Sequence, residues 1–68
     1  MLKKINMEIK FMIGQTVFLR TDSEQRERIV TGVTILPGMI RYGLSCGTEE
    51  TWHYEFEINE NKDVIKAM

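Results

Sequence analysis

Residues 28–58 read RIVTGVTILPGMIRYGLSCGTEETWHYEFEI, and the reading of this stretch decides the fold. Three runs, at 29–36, 39–46 and 51–56, are rich in β-branched and aromatic residues and are separated by turn residues, the pattern of short strands. Between the first two, Pro37 presets φ for one central turn position and Gly38 tolerates a positive φ at the next, which predicts a hairpin. The second turn is read at 47–50, with Gly47-Thr48 followed by Glu49 and Glu50. Side chains alternate across a strand, so Ile40, Tyr42 and Leu44 share one face against Met39, Arg41, Gly43 and Ser45. By the same rule Trp52, Tyr54 and Phe56 oppose Thr51, His53 and Glu55. Gly32, without a side chain to pack, marks a bulge or bend.

Working outward, residues 15–20 read as a first strand, with Thr16, Phe18 and Arg20 on one face and Val17 and Leu19 on the other. Residues 21–28, TDSEQRER, are eight polar residues in succession. Asp22 or Ser23 suits the cap of a helical turn, but no apolar side chain is there to hold it down, so a mobile loop is expected. Glu57-Ile58 reads as a last short strand. Residues 61–68 form a C-terminal tail that docks loosely or frays, Val64 and Ile65 being its only large aliphatics. Residues 1–12 are read as an N-terminal extension or an edge strand, their mixed pattern fitting a strand at 7–12 as well as one helical turn, and starts at Met1, Met7 or Met12 differ only in that extension. No helical run can supply a parallel crossover, so the sheet must be antiparallel. Bending at Gly32 and Gly43 would close it into a small barrel with both ends paired, removing open edges. The expected architecture is all-β: a five-stranded antiparallel SH3-like barrel over residues 13–60 with a short N-terminal extension.

Composition sets the bounds. A chain of 68 residues buries only about 60% of its unfolded surface, room for one small core and no second domain. Nine Lys plus Arg against ten Asp plus Glu leave a formal charge of −1, no field to draw the chain onto phosphates or an anionic membrane. One Cys makes no internal disulfide, which fits a reducing compartment. The first fourteen residues, MLKKINMEIKFMIG, contain no continuous apolar stretch, so neither a signal peptide nor a membrane anchor is expected and a cytoplasmic location is.

The order GQTVFLRTD, polar loop, RIVTGVTILPGMIRYGLSCG, TWHYEFEIN resembles the Tudor, KOW and SH3-like small barrels. In these a first strand enters a variable loop, a three-stranded meander follows, and an aromatic strand leads through a short turn to a final strand. Gly14, Val17 and Leu19 match the entry strand, Trp52, Tyr54 and Phe56 the aromatic strand, and Glu57-Ile58 the closing one. The chain also resembles short proteins of bacterial prophages and mobile elements through its TD-x-x-Q, R-x-VTG and WHY-x-FEI segments. The likeness spans residues 12–59. It implies a fold, and no activity comes with it.

Candidate sites follow from residue chemistry. Cys46 and His53 are the only soft metal ligands, where a structural zinc site takes four, so no metal site is assigned. Cys46 with His53 as base would need an orienting group and an oxyanion pocket that so small a core does not accommodate. Glu49, Glu50, Glu55, Glu57 and Glu60 read as a solvated rim, and no catalytic residue or cofactor is expected. Trp52, Tyr54, Tyr42 and Phe18 form the aromatic set to watch, because a face of rings beside a loop can hold a peptide, a methylated ammonium or a stacked base. Trp52, Tyr54 and Phe56 are expected to be mainly core, since a short barrel needs an aromatic interior; Tyr42 and Phe18 are then the exposed members. Arg20, Arg26, Arg28 and Arg41 could converge beside the loop, with Asp22, Glu24 and Glu27 cancelling much of their field through ion pairs. The reading is a non-enzymatic module, an accessory protein of a phage or mobile element, that binds an unidentified protein partner through its polar loop and aromatic strand, with homodimers supported by edge pairing. The alternative is a KOW- or Tudor-like nucleic-acid binder that places those four arginines on phosphates and stacks bases on Tyr42 or Trp52.

Overall fold

A computed structural model describes residues 8–65. Five strands, β1 (Thr16–Leu19), β2 (Arg28–Leu36), β3 (Met39–Cys46), β4 (Glu49–Tyr54) and β5 (Ile58–Asn59), make one antiparallel sheet in the order β4-β3-β2-β1-β5. A single 3-10 turn, Glu55–Glu57, joins β4 to β5. Among the described residues no helix is long and apolar enough to cross a membrane. The predicted barrel is not closed. β4 pairs only with β3 and β5 only with β1, so these two strands are open edges among the described residues.

The β2–β3 hairpin forms where Pro37-Gly38 predicts it, with Gly38 at φ 80°. A register shift between Val30 and Gly32 places a bulge at the expected glycine. The following turn is tighter than expected: Gly47, at φ 64°, turns the chain at once, and Glu49 and Glu50 already pair with Cys46 and Ser45 in β4. Strand β4 therefore ends at Tyr54, and Phe56 sits in the 3-10 turn rather than in a strand.

That register decides which face is the core. It sets Thr51 and His53 opposite Leu44 and Tyr42, and Trp52 opposite Gly43 on the reverse side. The core consists of Phe11, Val17, Leu19, Val30, Ile40, Tyr42, Leu44 and Ile58, with Val33 packed against it. Phe11 lies edge-on to Tyr42, ring centroids 5.2 Å apart at 79°, a favoured geometry for an aromatic pair. The Tyr42 hydroxyl accepts from the Lys10 N–H at 3.0 Å. Residues 8–12 thus form no edge strand, but they bring Phe11 into the core; Met7 and the rest of 1–7 lie outside the described residues, as do 66–68 of the tail.

The loop after β1 is anchored rather than unrestrained. Its anchor is Gln25, buried at 3% exposure and in the left-handed region at φ 49°. The Gln25 side-chain amide donates to the carbonyls of Leu19 at 2.6 Å and Asp22 at 2.7 Å, and its oxygen accepts from the Asp63 N–H at 2.9 Å. One polar side chain therefore ties the loop both to β1 and to the C-terminal tail. Buried amides are retained only when paired in this way.

Candidate functional site

The aromatic assignment from the sequence is reversed. Tyr42 is fully buried and Phe18 is 8% exposed, whereas Trp52, Tyr54 and Phe56 are 47%, 37% and 75% exposed. Strand alternation is as predicted, but β4 is an edge strand whose polar side, not its aromatic side, faces the core. Phe18 is buried apart from the main cluster, since Val17 and Leu19 beside it take the core face of β1.

Trp52 lies across a shelf made by two paired glycines, Gly32 and Gly43. A Cβ at either position would stand 3.2 Å from the ring, which is why neither strand carries a side chain there. Next along β4, the Tyr54 ring stacks on Phe56, centroids 5.7 Å apart at 9°. Their rings and Glu55 form one wall of an open groove of about 480 Å³ whose other wall is Gly38, Met39 and Ile40 at the β2–β3 turn. Glu8 stands at the groove as well, and Lys10 reaches Glu55 at 3.2 Å. Arg41, opposite Tyr54 and Thr34, is half-buried, and its Nε is buried without a hydrogen-bond partner.

The arginines do not form one patch. Arg28 is buried, with Nη2 3.4 Å from Asp22 Oδ2, and Arg26 pairs with both Asp22 and Glu24 at 3.6 Å. Arg20 follows the end of β1 and is exposed. Arg41 sits beside Thr34, six residues along β2 from Arg28, or about 20 Å at the rise of a strand. Asp22 organises the loop group: its carboxylate accepts from the backbone N–H of Arg26 at 3.0 Å and of Glu24 at 2.9 Å. These bonds, Arg26's first, with smaller contributions from Arg28 and the Arg26 charge, outweigh partial burial and hold the Asp22 carboxyl at about 2, below its ordinary 3.8. The expected ion pairs along the loop are present, and they occupy Arg26 and Arg28.

The sequence did not reveal a chain of polar contacts on the other side of β4. Thr51 Oγ1 lies 2.6 Å from His53 Nε2, and His53 Nδ1 lies 3.3 Å from Glu57 Oε1. The same Glu57 oxygen accepts from the Tyr54 N–H at 3.3 Å, so the chain folds the 3-10 turn back on the strand. The one visible signal was the spacing of Thr51, His53 and Glu57 at intervals of two and four. Hydroxyl, imidazole and carboxylate stand in the order of a nucleophile relay. Thr51 and His53 do not line the Tyr54–Phe56 groove, nor the second groove, of about 490 Å³, between Phe11 and Ile58. Their contacts account for a brace. Cys46 ends β3, half-buried and free. Among the described residues no three His, Cys, Asp or Glu side chains are grouped to hold a metal ion.

Comparison of the chain with protein-family models, with curated proteins and with solved structures finds no match.

Proposed function

We propose that this chain is a non-enzymatic interaction module of SH3-like path that binds a protein partner through its aromatic edge strand. The observation that carries the reading is the exposure of Trp52, Tyr54 and Phe56 side by side at an edge, next to a groove, in a chain whose core is filled by other residues. Large rings at a surface supply contact area at low entropic cost and are enriched at interaction sites. The path supports the SH3-like part: an entry strand, a loop, and a three-stranded meander whose last, aromatic strand reaches the closing strand through one short turn. The loop contributes less than the aromatic strand, because Gln25 within it and Arg28 at the start of β2 are buried. We place the protein in the bacterial cytoplasm as an accessory of a phage or mobile element, on its resemblance to short proteins of such elements and its single cysteine. Nucleic-acid binding is the weaker reading, since Tyr42 is buried and Arg28 is committed to Asp22.

Capture from a bacterial lysate tests the proposal with three forms of the full chain: wild type, Tyr54→Ser/Phe56→Ser, and Arg26→Ala in the loop. The module reading predicts a protein enriched by wild type and Arg26→Ala and lost with the double variant. Equal capture by all three, or none by any, would contradict it.

A further inference from the structure

From the same face, and resting on the interaction reading above, we infer that β4 takes a cationic, extended segment of its partner as an added strand. Three observations meet at this edge. The outer side of β4 has no strand partner among the described residues, and all six of its residues lie in regular register with β3. Such an edge presents backbone donors and acceptors as a template for another chain, and edges not meant to pair are blunted with lysine, proline or a bulge. Strand β4 has none of these: its charged residues, Glu49 and Glu50, stand together at its start, and only at its end is a backbone donor taken, the Tyr54 N–H by Glu57 Oε1.

The second observation is charge. Residues 49–57, EETWHYEFE, carry four glutamates and no lysine or arginine. Lys10 offsets one of the four, at Glu55. Glu49 and Glu50 open β4, and Glu55 and Glu57 follow it in the 3-10 turn, so a segment rich in lysine or arginine would meet complementary charge at both ends of the strand. A second copy of β4, paired antiparallel, would set Glu49 and Glu50 across from Tyr54 and His53 and gain no such attraction. The charge therefore selects a foreign basic strand over self-pairing. The third observation is the ring row. An added strand would alternate its side chains, setting every second one on the outer face beside Trp52 and Tyr54.

The test uses a ten-residue peptide of alternating Lys and Val, with a Glu-Val peptide as control, titrated into the full-length isotope-labelled protein. Trp52 is the only tryptophan and reports directly from the strand. The inference predicts saturable binding that shifts Trp52 emission and the amide signals of residues 49–57. Binding of the control should be at least about tenfold weaker, since like-charge juxtaposition costs several kcal/mol. The variant Glu49→Gln/Glu50→Gln, at two exposed positions, should keep the spectrum of the folded chain and weaken Lys-Val binding several-fold. Equal binding of both peptides, no saturable binding, shifts confined to residues 20–27, or a dimer of the free protein through β4 would each overturn the inference. If the peptide fails while lysate capture still depends on Tyr54 and Phe56, the cationic strand falls and the interaction module stands.

Discussion

Two aromatic groups occupy opposite sides of one small sheet and carry different burdens. On the inner side Tyr42 is wholly buried, met edge-on by Phe11 and hydrogen-bonded through its hydroxyl. On the outer side Trp52 rests on a glycine shelf and Tyr54 stacks on Phe56 in the open. The inner group is tied to the rest of the molecule by long-range contacts, while the outer pair stacks on itself outside the core. Aromatic content alone does not mark a core. What marks it is whether another segment, here residues 8–12, comes across to cover the ring.

The sharpest way to break the contrast is to truncate the inner ring. Tyr42→Ala should cost about 3–5 kcal/mol, as large-to-small changes at buried rings do, and so remove most of the stability of a domain this small. Loss of the cooperative thermal transition in circular dichroism checks it. A transition close to wild type would mean that the inner side is not the core.

The faces were legible in the sequence, but their assignment was not. Alternation correctly separated Trp52 and Tyr54 from Thr51 and His53, and Pro37-Gly38 located the hairpin. The side that faces inward depends on the register with β3, which the Gly47 turn fixes and which pattern alone could not supply. The expected closure failed because β5 is only two residues long and pairs with β1 alone. The loop's anchor was not legible because it is polar: Gln25 makes three hydrogen bonds that reach Leu19, Asp22 and Asp63, and no hydrophobic pattern announces such a residue.

A second contrast sets this anchored loop against the open β4 edge. Gln25→Ala removes three side-chain hydrogen bonds, while the Leu19 and Asp22 carbonyls keep the backbone N–H groups of Asp22 and Gln25 as donors. It should cost about 1–2 kcal/mol, the net worth of one or two such bonds. Amide exchange should accelerate at residues 22–26 and 63 before it does in β3; unchanged exchange there would remove the anchor from the account.

Acid should reach the loop through Asp22. Its carboxyl is held at about 2 against an ordinary 3.8, so the folded state binds this proton less readily than the unfolded one. The stabilisation is present above pH 3.8 and drains away as pH falls towards 2. Asp22→Asn should flatten that part of the pH–stability curve relative to wild type, measured by denaturant midpoints; parallel curves would show that the backbone bonds to Asp22 do not stabilise the fold.

The most direct test of the central claim, that the outer aromatics serve recognition and not the fold, is the thermal midpoint of Tyr54→Ser/Phe56→Ser. Because neither ring belongs to the core and they stack on each other, with Phe56 75% exposed, the loss should be about 1 kcal/mol or less. For a domain of this size that is a fall of no more than about 8 °C with cooperativity kept. A double variant that unfolds as Tyr42→Ala does would contradict the account.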